Sequence, residues 1–133
     1  MLAATCLALN VYFESRSEAS VLSQFAVAQV TMNRVMSDKY PNSICDVVWQ
    51  KGQFSWTHDG KSDKPYEKQA WDRAQWVAKV TLDNPEKSMG LLPTNALHYH
   101  ADYVQPFWSK SKSLTRITKI GRHYFYTTLE KDK

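Results

Sequence analysis

The sequence predicts a single, mainly helical α+β domain with a small β-hairpin near its C-terminus. Its 133 residues, 43% of them hydrophobic, are sufficient for one packed core. Apolar residues recur at helical spacing through the first two thirds of the chain. The last third instead holds short β-prone runs around the turn-forming pair Gly121-Arg122. We therefore expect one domain over residues 1–133.

Two long helices are expected in the first third. The nearly continuous apolar run Leu2–Phe13 predicts a deeply buried helix, with Glu14 at its C-terminal end. Ser20–Ser37 predicts a second helix, because apolar side chains recur there at steps of three and four. The inner face of this helix is expected to consist of Phe25, Ala28, Met32, Val35 and Met36.

The middle of the chain predicts a short helix, a loop and a long helix. Ser43 suits the N-cap of a helix over Ile44–Gln50. A polar loop, 53–64, follows it. Pro65 suits the first turn of a helix over Tyr66–Leu82.

Two β elements are expected towards the C-terminus. Ala96–Ala101 alternates small or apolar residues with aromatic and imidazole side chains, which favours an extended strand. Ile117–Thr128 places Gly121-Arg122 between two β-prone runs, as in a hairpin.

Charge and hydropathy limit the classes of partner and location. The net charge of +4 favours polyanionic partners, among them the bacterial cell wall. We find no nucleic-acid motif, and no apolar run approaches the roughly 20 residues that span a bilayer. The apolar N-terminus lacks the basic flank and cleavage site of a signal peptide, so export is expected to need another route. Basic residues cluster only in the last quarter, at Lys110, Lys112, Arg116, Lys119 and Arg122, and a solvated face explains them.

The two cysteines, Cys6 and Cys45, are too far apart in sequence for a metal-ligand pair. An even count permits one disulfide between the first helix and the short third one. Two separate thiols in a reducing compartment are equally compatible with the sequence.

Glu14 is the first candidate for chemistry. Tyr12 and Phe13 precede it, and a carboxyl group held against rings is poorly solvated, which raises its pKa towards that of a useful proton donor. Glu18, one helical turn further on, is either a catalytic partner or an end cap. Asp59 is a third carboxylate, in a loop where aspartates usually form turns.

A second cluster, Gln53, Phe54, Ser55 and Trp56, combines an amide, a hydroxyl and two rings. Such a loop suits a sugar, with hydrogen bonds to hydroxyls and a ring against the pyranose face. The alternative is a loop fixed by aromatic side chains that pack into the core.

A third cluster contains His98, His100 and Asp102 at alternate positions, which would share one face of a strand. They lack a clear fourth ligand, so hydrogen-bonding groups in a cleft are favoured over a metal site. The chain has neither a Gly-x-Ser-x-Gly elbow nor a Gly-rich phosphate loop. We expect no metal and no cofactor.

A series of short segments follows in order along the chain: Glu-Ser-Arg-Ser-Glu at 14–18, Ser-Gln-Phe-Ala-Val-Ala at 23–28, Asn-Arg-Val at 33–35, Pro-Asn-Ser-Ile at 41–44, Trp-Gln at 49–50, Gln-Phe-Ser at 53–55, Ala-Leu-His-Tyr at 96–99 and Ile-Gly-Arg-His-Tyr-Phe at 120–125. Taken together, these segments resemble the SleB-type cell wall hydrolases, a family that includes spore cortex-lytic enzymes and phage endolysins. Serines at 17 and 23 stand where the family pattern has glycines.

The resemblance implies a lysozyme-like fold and an enzyme that acts on peptidoglycan glycan strands. We expect this enzyme to be a monomer. It implies cleavage of the β-1,4 bond between N-acetylmuramic acid and N-acetylglucosamine by a lytic transglycosylase, with Glu14 as the single acid and base. Such an enzyme acts in the periplasm or outside the cell, and a phage endolysin would stay cytoplasmic until release. The expected substrate-binding residues are Glu18, Gln24, Gln53, Phe54, Ser55, Tyr99 and His123.

Three rival functions remain at this stage. One is a hydrolytic muramidase that uses Glu18 or Asp59 to activate water. Another is a wall-binding module without catalysis. The third is a metal-dependent amidase or peptidase that uses His98 and His100.

Overall fold

The computed structural model describes residues 1–16, 18, 20–50, 56, 64–84 and 90–128. Helices come first and a sheet follows, as the sequence predicts. The helices are α1 (Ala3–Ser15), α2 (Val21–Met36), α3 (Ile44–Trp49) and α4 (Lys68–Asp83). The strands are β1 (Ala96–Ala101), β2 (Leu114–Ile120) and β3 (His123–Thr128), with a short 3-10 helix, Phe107–Lys110, between β1 and β2.

Helix α1 lies at the centre of the helical part and packs against α2, α3 and α4. Its residues from Cys6 to Tyr12 are all buried, because the helix is apolar on every side and has helices around it. This confirms the predicted buried helix. None of the described helices combines the length and the apolar character that crossing a membrane would require.

Helix α2 begins where the sequence predicts, and it connects the helices to the sheet. The Ser20 hydroxyl accepts a hydrogen bond from the Ser23 backbone N–H, an N-cap of the ordinary kind. The expected inner position of Met36 is wrong, since this residue is 65% exposed. It is the last residue of a helix whose final turn is fixed to β1 by Asn33 and Arg34, so that side of the turn is the buried one.

Helix α3 agrees with its predicted cap, whereas α4 starts two residues later than predicted. The Ser43 hydroxyl accepts a hydrogen bond from the Asp46 backbone N–H at 3.2 Å. At the start of α4 the backbone of Glu67 is extended, and its N–H donates to the Tyr12 hydroxyl at 3.0 Å. Pro65 therefore lies ahead of the helix rather than in its first turn.

The sheet is antiparallel in the order β1-β3-β2. The predicted hairpin is present as β2 and β3, with Gly121 at φ +58° in the turn, a conformation that favours glycine. Strand β2 begins three residues before the predicted start of the hairpin, because Leu114 still pairs with Thr128. Strand β1 is extended as predicted. It pairs with β3 and so becomes the third strand of the sheet, which the local sequence pattern does not specify.

A disulfide joins Cys6 of α1 to Cys45 of α3 across a sequence separation of 39. Of the two alternatives that the sequence leaves open, the structure contains the cross-linked one. The bond ties the central helix to the short helix that precedes the 51–63 segment.

Candidate active site

Glu14 lies in the last turn of α1, next to strand β1. The Tyr99 hydroxyl of β1 donates a hydrogen bond to Glu14 Oε1 at 2.7 Å. Tyr99 is buried, whereas the Glu14 side chain remains partly exposed. The structure thus brings the predicted acid and one predicted sugar-binding residue, 85 positions apart, into direct contact.

The surroundings of Glu14 favour its protonated form. Burial by neighbouring groups raises the pKa of the carboxyl above its ordinary value of 4.5. The hydrogen bond from Tyr99 and the positive charge of Arg34 act in the opposite direction, but the net direction is upwards. A carboxyl group that holds its proton to higher pH is suited to general acid catalysis.

Behind Tyr99, a buried asparagine organises three side chains. Asn10 is hydrogen bonded to Tyr99, and its Nδ2 donates to Thr31 Oγ1 at 3.1 Å. Its Oδ1 accepts a hydrogen bond from Trp56 Nε1 at 3.1 Å. Our sequence reasoning gave Asn10 no role, yet a fully buried amide inside an apolar helix is a signal that a polar partner lies nearby.

Trp56 packs into the core. It is buried and stacks on Phe13 with ring centroids 4.9 Å apart. For this ring the structure agrees with the alternative in which aromatic side chains of this segment pack into the core. The other members of the predicted sugar-binding cluster, Gln53, Phe54 and Ser55, lie outside the described residues, as does Asp59.

Arg34 is a second residue to which sequence reasoning gave no role. Its Nε donates to the Leu97 carbonyl oxygen of β1 at 2.8 Å, and its guanidinium lies over the Tyr40 ring at 5.0 Å. From this position its charge acts on Glu14. Its presence in the Asn-Arg-Val segment was the available signal.

Glu18 is buried in a clamp of backbone donors rather than paired with Glu14. Its Oε2 accepts a hydrogen bond from the Arg122 N–H at 2.7 Å, and its Oε1 accepts one from the Ser20 N–H at 3.4 Å. Burial raises the pKa of Glu18, but these donors, together with His123 and Ser23, outweigh burial and lower it. The environment of Glu18 therefore favours its carboxylate form, whereas that of Glu14 favours the protonated form.

His123 connects the two glutamates. Its Nδ1 lies 3.0 Å from Ser23 Oγ and 3.5 Å from Glu18 Oε2, and the ring is also hydrogen bonded to the backbone of Glu14. Burial lowers the pKa of His123 despite the nearby carboxylate, which favours a neutral ring. His123 thus couples the end of α1 to the turn that holds Glu18.

Gln24 supports the same corner from α2. Its Nε2 donates to the Ser15 carbonyl oxygen at 3.0 Å, at the end of α1. The residue is almost fully buried, and its Oε1 has no hydrogen-bond partner in the structure as described. The hydrogen bond from Gln24 to Ser15 positions the backbone next to Glu14.

The histidine cluster of β1 does not form a shared ligand set. His100 uses both ring nitrogens, with Nδ1 at 2.7 Å from the Ala101 carbonyl oxygen and Nε2 at 2.7 Å from the Tyr126 hydroxyl. Asp102 forms ion pairs with Lys119 at 3.2 Å and Arg122 at 3.6 Å. Over the described ranges, no group of three or more His, Cys, Asp or Glu side chains is arranged to hold a metal ion.

Substituting Gly121 tests the Glu18 clamp. A Cβ at this position would lie 2.7 Å from Glu18 Cδ, on a backbone at φ +58°. We expect Gly121→Ala to lower the free energy of unfolding by about 3 kcal/mol, from left-handed backbone strain plus the displaced charged hydrogen bond. Urea denaturation measures this loss.

Gly90→Ala is the matched control for that substitution. Gly90 has φ +54°, but no described atom lies within 4 Å of a Cβ built there. Only the backbone strain remains, so a loss of about 1 kcal/mol is expected. Equal losses in the two variants would show that contact with Glu18 contributes nothing.

Comparison with known proteins identifies the family. A family model described as Cell Wall Hydrolase matches residues 18–126, a segment that begins four residues after Glu14. A spore cortex-lytic enzyme from Bacillus cereus is 35% identical over 121 residues, which is 90% of this chain. The chain spans 42% of the length of that relative.

Solved structures agree with this result. The catalytic domain of the germination-specific lytic transglycosylase SleB from Bacillus anthracis superposes with a TM-score of 0.69 at 32% identity, covering 92% of each chain. The catalytic domain of Bacillus cereus SleB gives 0.61 at 28% identity, covering 92% of this chain and 88% of that one. The predicted lysozyme-like α+β class is confirmed. By sequence and by fold, this chain belongs to the SleB-type cell wall hydrolase family.

Proposed function

We propose that this domain cleaves peptidoglycan glycan strands at the β-1,4 bond between N-acetylmuramic acid and N-acetylglucosamine, as a lytic transglycosylase. The observation that carries the proposal is the Glu14 carboxyl, which accepts a hydrogen bond from Tyr99 at 2.7 Å and whose pKa is raised by burial. The relatives support it, because one solved neighbour is named as a lytic transglycosylase. The substrate places the action of the domain at the cell wall.

In the first step, Glu14 acts as a general acid. Tyr99 occupies Oε1, so Oε2 is the oxygen that carries the transferable proton. Transfer of this proton to the glycosidic oxygen allows the bond from that oxygen to C1 of the muramic acid to break. The N-acetylglucosamine leaves with a free hydroxyl, and C1 develops oxocarbenium character.

In the second step, Glu14 acts as a base. Its carboxylate accepts the proton of the C6 hydroxyl of the same muramic acid, and O6 forms a bond to C1. The product is a 1,6-anhydro ring, and Glu14 regains its proton for the next turnover. The sequence of steps consumes no water and requires no second carboxylate.

The state of Glu18 favours this route over a hydrolytic muramidase. A muramidase of the inverting type needs a second carboxylate to activate water. Glu18 already accepts two backbone hydrogen bonds and is almost fully buried. We assign Glu18, Gln24 and His123 the task of fixing the backbone around Glu14, and we keep Gln53, Phe54 and Ser55 as proposed sugar contacts.

The mass of the released muropeptides tests the reaction. Purified murein treated with the domain is expected to give fragments with 1,6-anhydro-muramic acid ends. Fragments that are heavier by one water and have reducing ends would contradict the transglycosylase assignment and identify the domain as a muramidase. If the domain binds murein but releases no fragment, it is a wall-binding module without catalysis.

Tyr99→Phe tests how the acid is held. We expect a roughly tenfold lower rate, as one charge-assisted hydrogen bond to the carboxylate is lost. That hydrogen bond lowers the pKa of Glu14, so its removal raises this pKa further. Because the acid must be protonated, the fall in rate at alkaline pH is expected at a higher pH in the variant.

A pH–rate profile of murein cleavage makes the measurement. Tyr103→Phe, at a tyrosine that is 76% exposed, is the matched control. A lower rate in Tyr99→Phe with an unchanged alkaline limb would mean that Tyr99 supports the fold but does not tune Glu14.

A further inference from the structure

A cavity of about 390 Å³ lies beside β1, and neither Glu14 nor Tyr99 is among its lining residues. Tyr99 contacts Glu14, whereas its neighbour His98 lines this cavity and packs against Trp108 with ring centroids 5.4 Å apart. The cavity is therefore separate from the contact between Tyr99 and Glu14.

Two residues that line this cavity each have a buried polar atom without a partner. Gln50 Oε1 and His98 Nδ1 make no hydrogen bond within the described structure. Buried polar atoms in folded proteins are nearly always paired, so these two atoms beside one cavity are available to hydrogen bond with a ligand that enters it. Burial lowers the pKa of His98 to about 4, so its ring is neutral at neutral pH.

The remaining walls of the cavity suit a carbohydrate. Tyr40 and Trp108 provide rings, and Ser111 and Ser113 provide exposed hydroxyls. Rings beside a few polar groups bind the apolar face and the hydroxyls of a sugar. Lys39 also lines the cavity and is compatible with the acidic groups of a wall polymer.

We propose that this cavity is a second carbohydrate site, which holds an N-acetylated sugar of the glycan strand away from the point of cleavage. The acetamido N–H or a hydroxyl would donate to Gln50 Oε1, and His98 Nδ1 would bond to a second group of the same ring. The identity of the polymer rests on the proposed function, whereas sugar binding at this cavity does not depend on catalysis. Such a site would keep the domain on a strand between cleavage events.

Fluorine NMR of the 5-fluorotryptophan-labelled Glu14→Gln protein tests the site. The chain has five tryptophans, and Trp108→Phe identifies the signal of Trp108. Titration with the tetramer of N-acetylglucosamine is expected to shift this signal in a saturable way. Gln50→Leu and His98→Phe are each expected to weaken the binding about tenfold, the effect of one lost hydrogen bond.

Gln75→Leu, on the exposed surface of α4, is the matched control and should bind as the parent does. A Trp108 signal that does not move, or that moves equally in the Gln50 and His98 variants, would overturn the proposal. Thermal unfolding of each variant establishes that it is folded. Sugar binding at Trp108 together with no anhydro products from the wild-type domain would contradict the proposed function alone. Anhydro products from the wild-type domain without a Trp108 shift in the Glu14→Gln protein would contradict the second site alone.

Discussion

Glu14→Gln is expected to abolish murein cleavage, with a rate at least about a thousandfold lower, within the range for loss of a general acid. The glutamine keeps an oxygen that can accept the Tyr99 hydrogen bond, so the geometry is retained. It carries no proton to donate to the glycosidic oxygen and forms no carboxylate to act as base. Release of muropeptides, followed by chromatography, measures the loss.

Glu67→Gln is the control for this substitution, since Glu67 is an exposed glutamate paired only with Arg16 in the part of the chain that the structure describes. It should cleave murein as the wild type does. Normal turnover by the Glu14→Gln protein would remove Glu14 from the catalytic role.

The Glu14→Gln variant also has an expected effect on stability, and this effect depends on pH. The folded protein raises the pKa of Glu14, so the stabilisation linked to its protonation is complete below the ordinary value of 4.5 and is lost as pH rises through the raised value. Glutamine resembles the protonated acid at every pH. Urea denaturation should therefore find the variant at least as stable as wild type at pH 7, with this advantage absent at pH 4.

Reduction of the Cys6–Cys45 disulfide is expected to give the largest loss of stability. Its sequence separation is 39, and the chain-entropy model gives about 4 kcal/mol for closing a loop of this length. The disulfide also joins α1, which carries Glu14, to α3. We expect activity at elevated temperature to fall in parallel with stability.

Urea denaturation with and without a reductant measures this effect. The double variant Cys6→Ala/Cys45→Ala is the control, because its stability should not change with the reductant. An unfolding midpoint of the wild type that is the same in both conditions would show that the cross-link contributes nothing.

Local sequence pattern was sufficient for most of the fold. Ser20 and Ser43 identify the starts of α2 and α3, because an N-cap depends on a side chain three residues from its partner. Gly121 identifies the hairpin because the positive φ of the turn is a property of this one residue and favours glycine. The start of α4 escaped prediction because the N–H of Glu67 bonds to Tyr12, 55 positions away.

The site was less predictable than the fold. Glu14 stands out in the sequence because two rings precede it at the end of an apolar helix. The contribution of Asn10 and Arg34 was hidden, because their partners Tyr99 and Leu97 lie on a strand that is distant in sequence.

The sequence alone predicted the order and type of the elements, the family resemblance and Glu14 as the proposed acid. Only the tertiary structure decided the directions in which the pKa values of the two glutamates shift, because the two residues share a segment but differ in their environments. Burial near Tyr99 raises the pKa of Glu14, whereas backbone donors from the β2–β3 turn lower that of Glu18. A pKa depends on desolvation and on donors brought together by folding, and the local sequence contains neither.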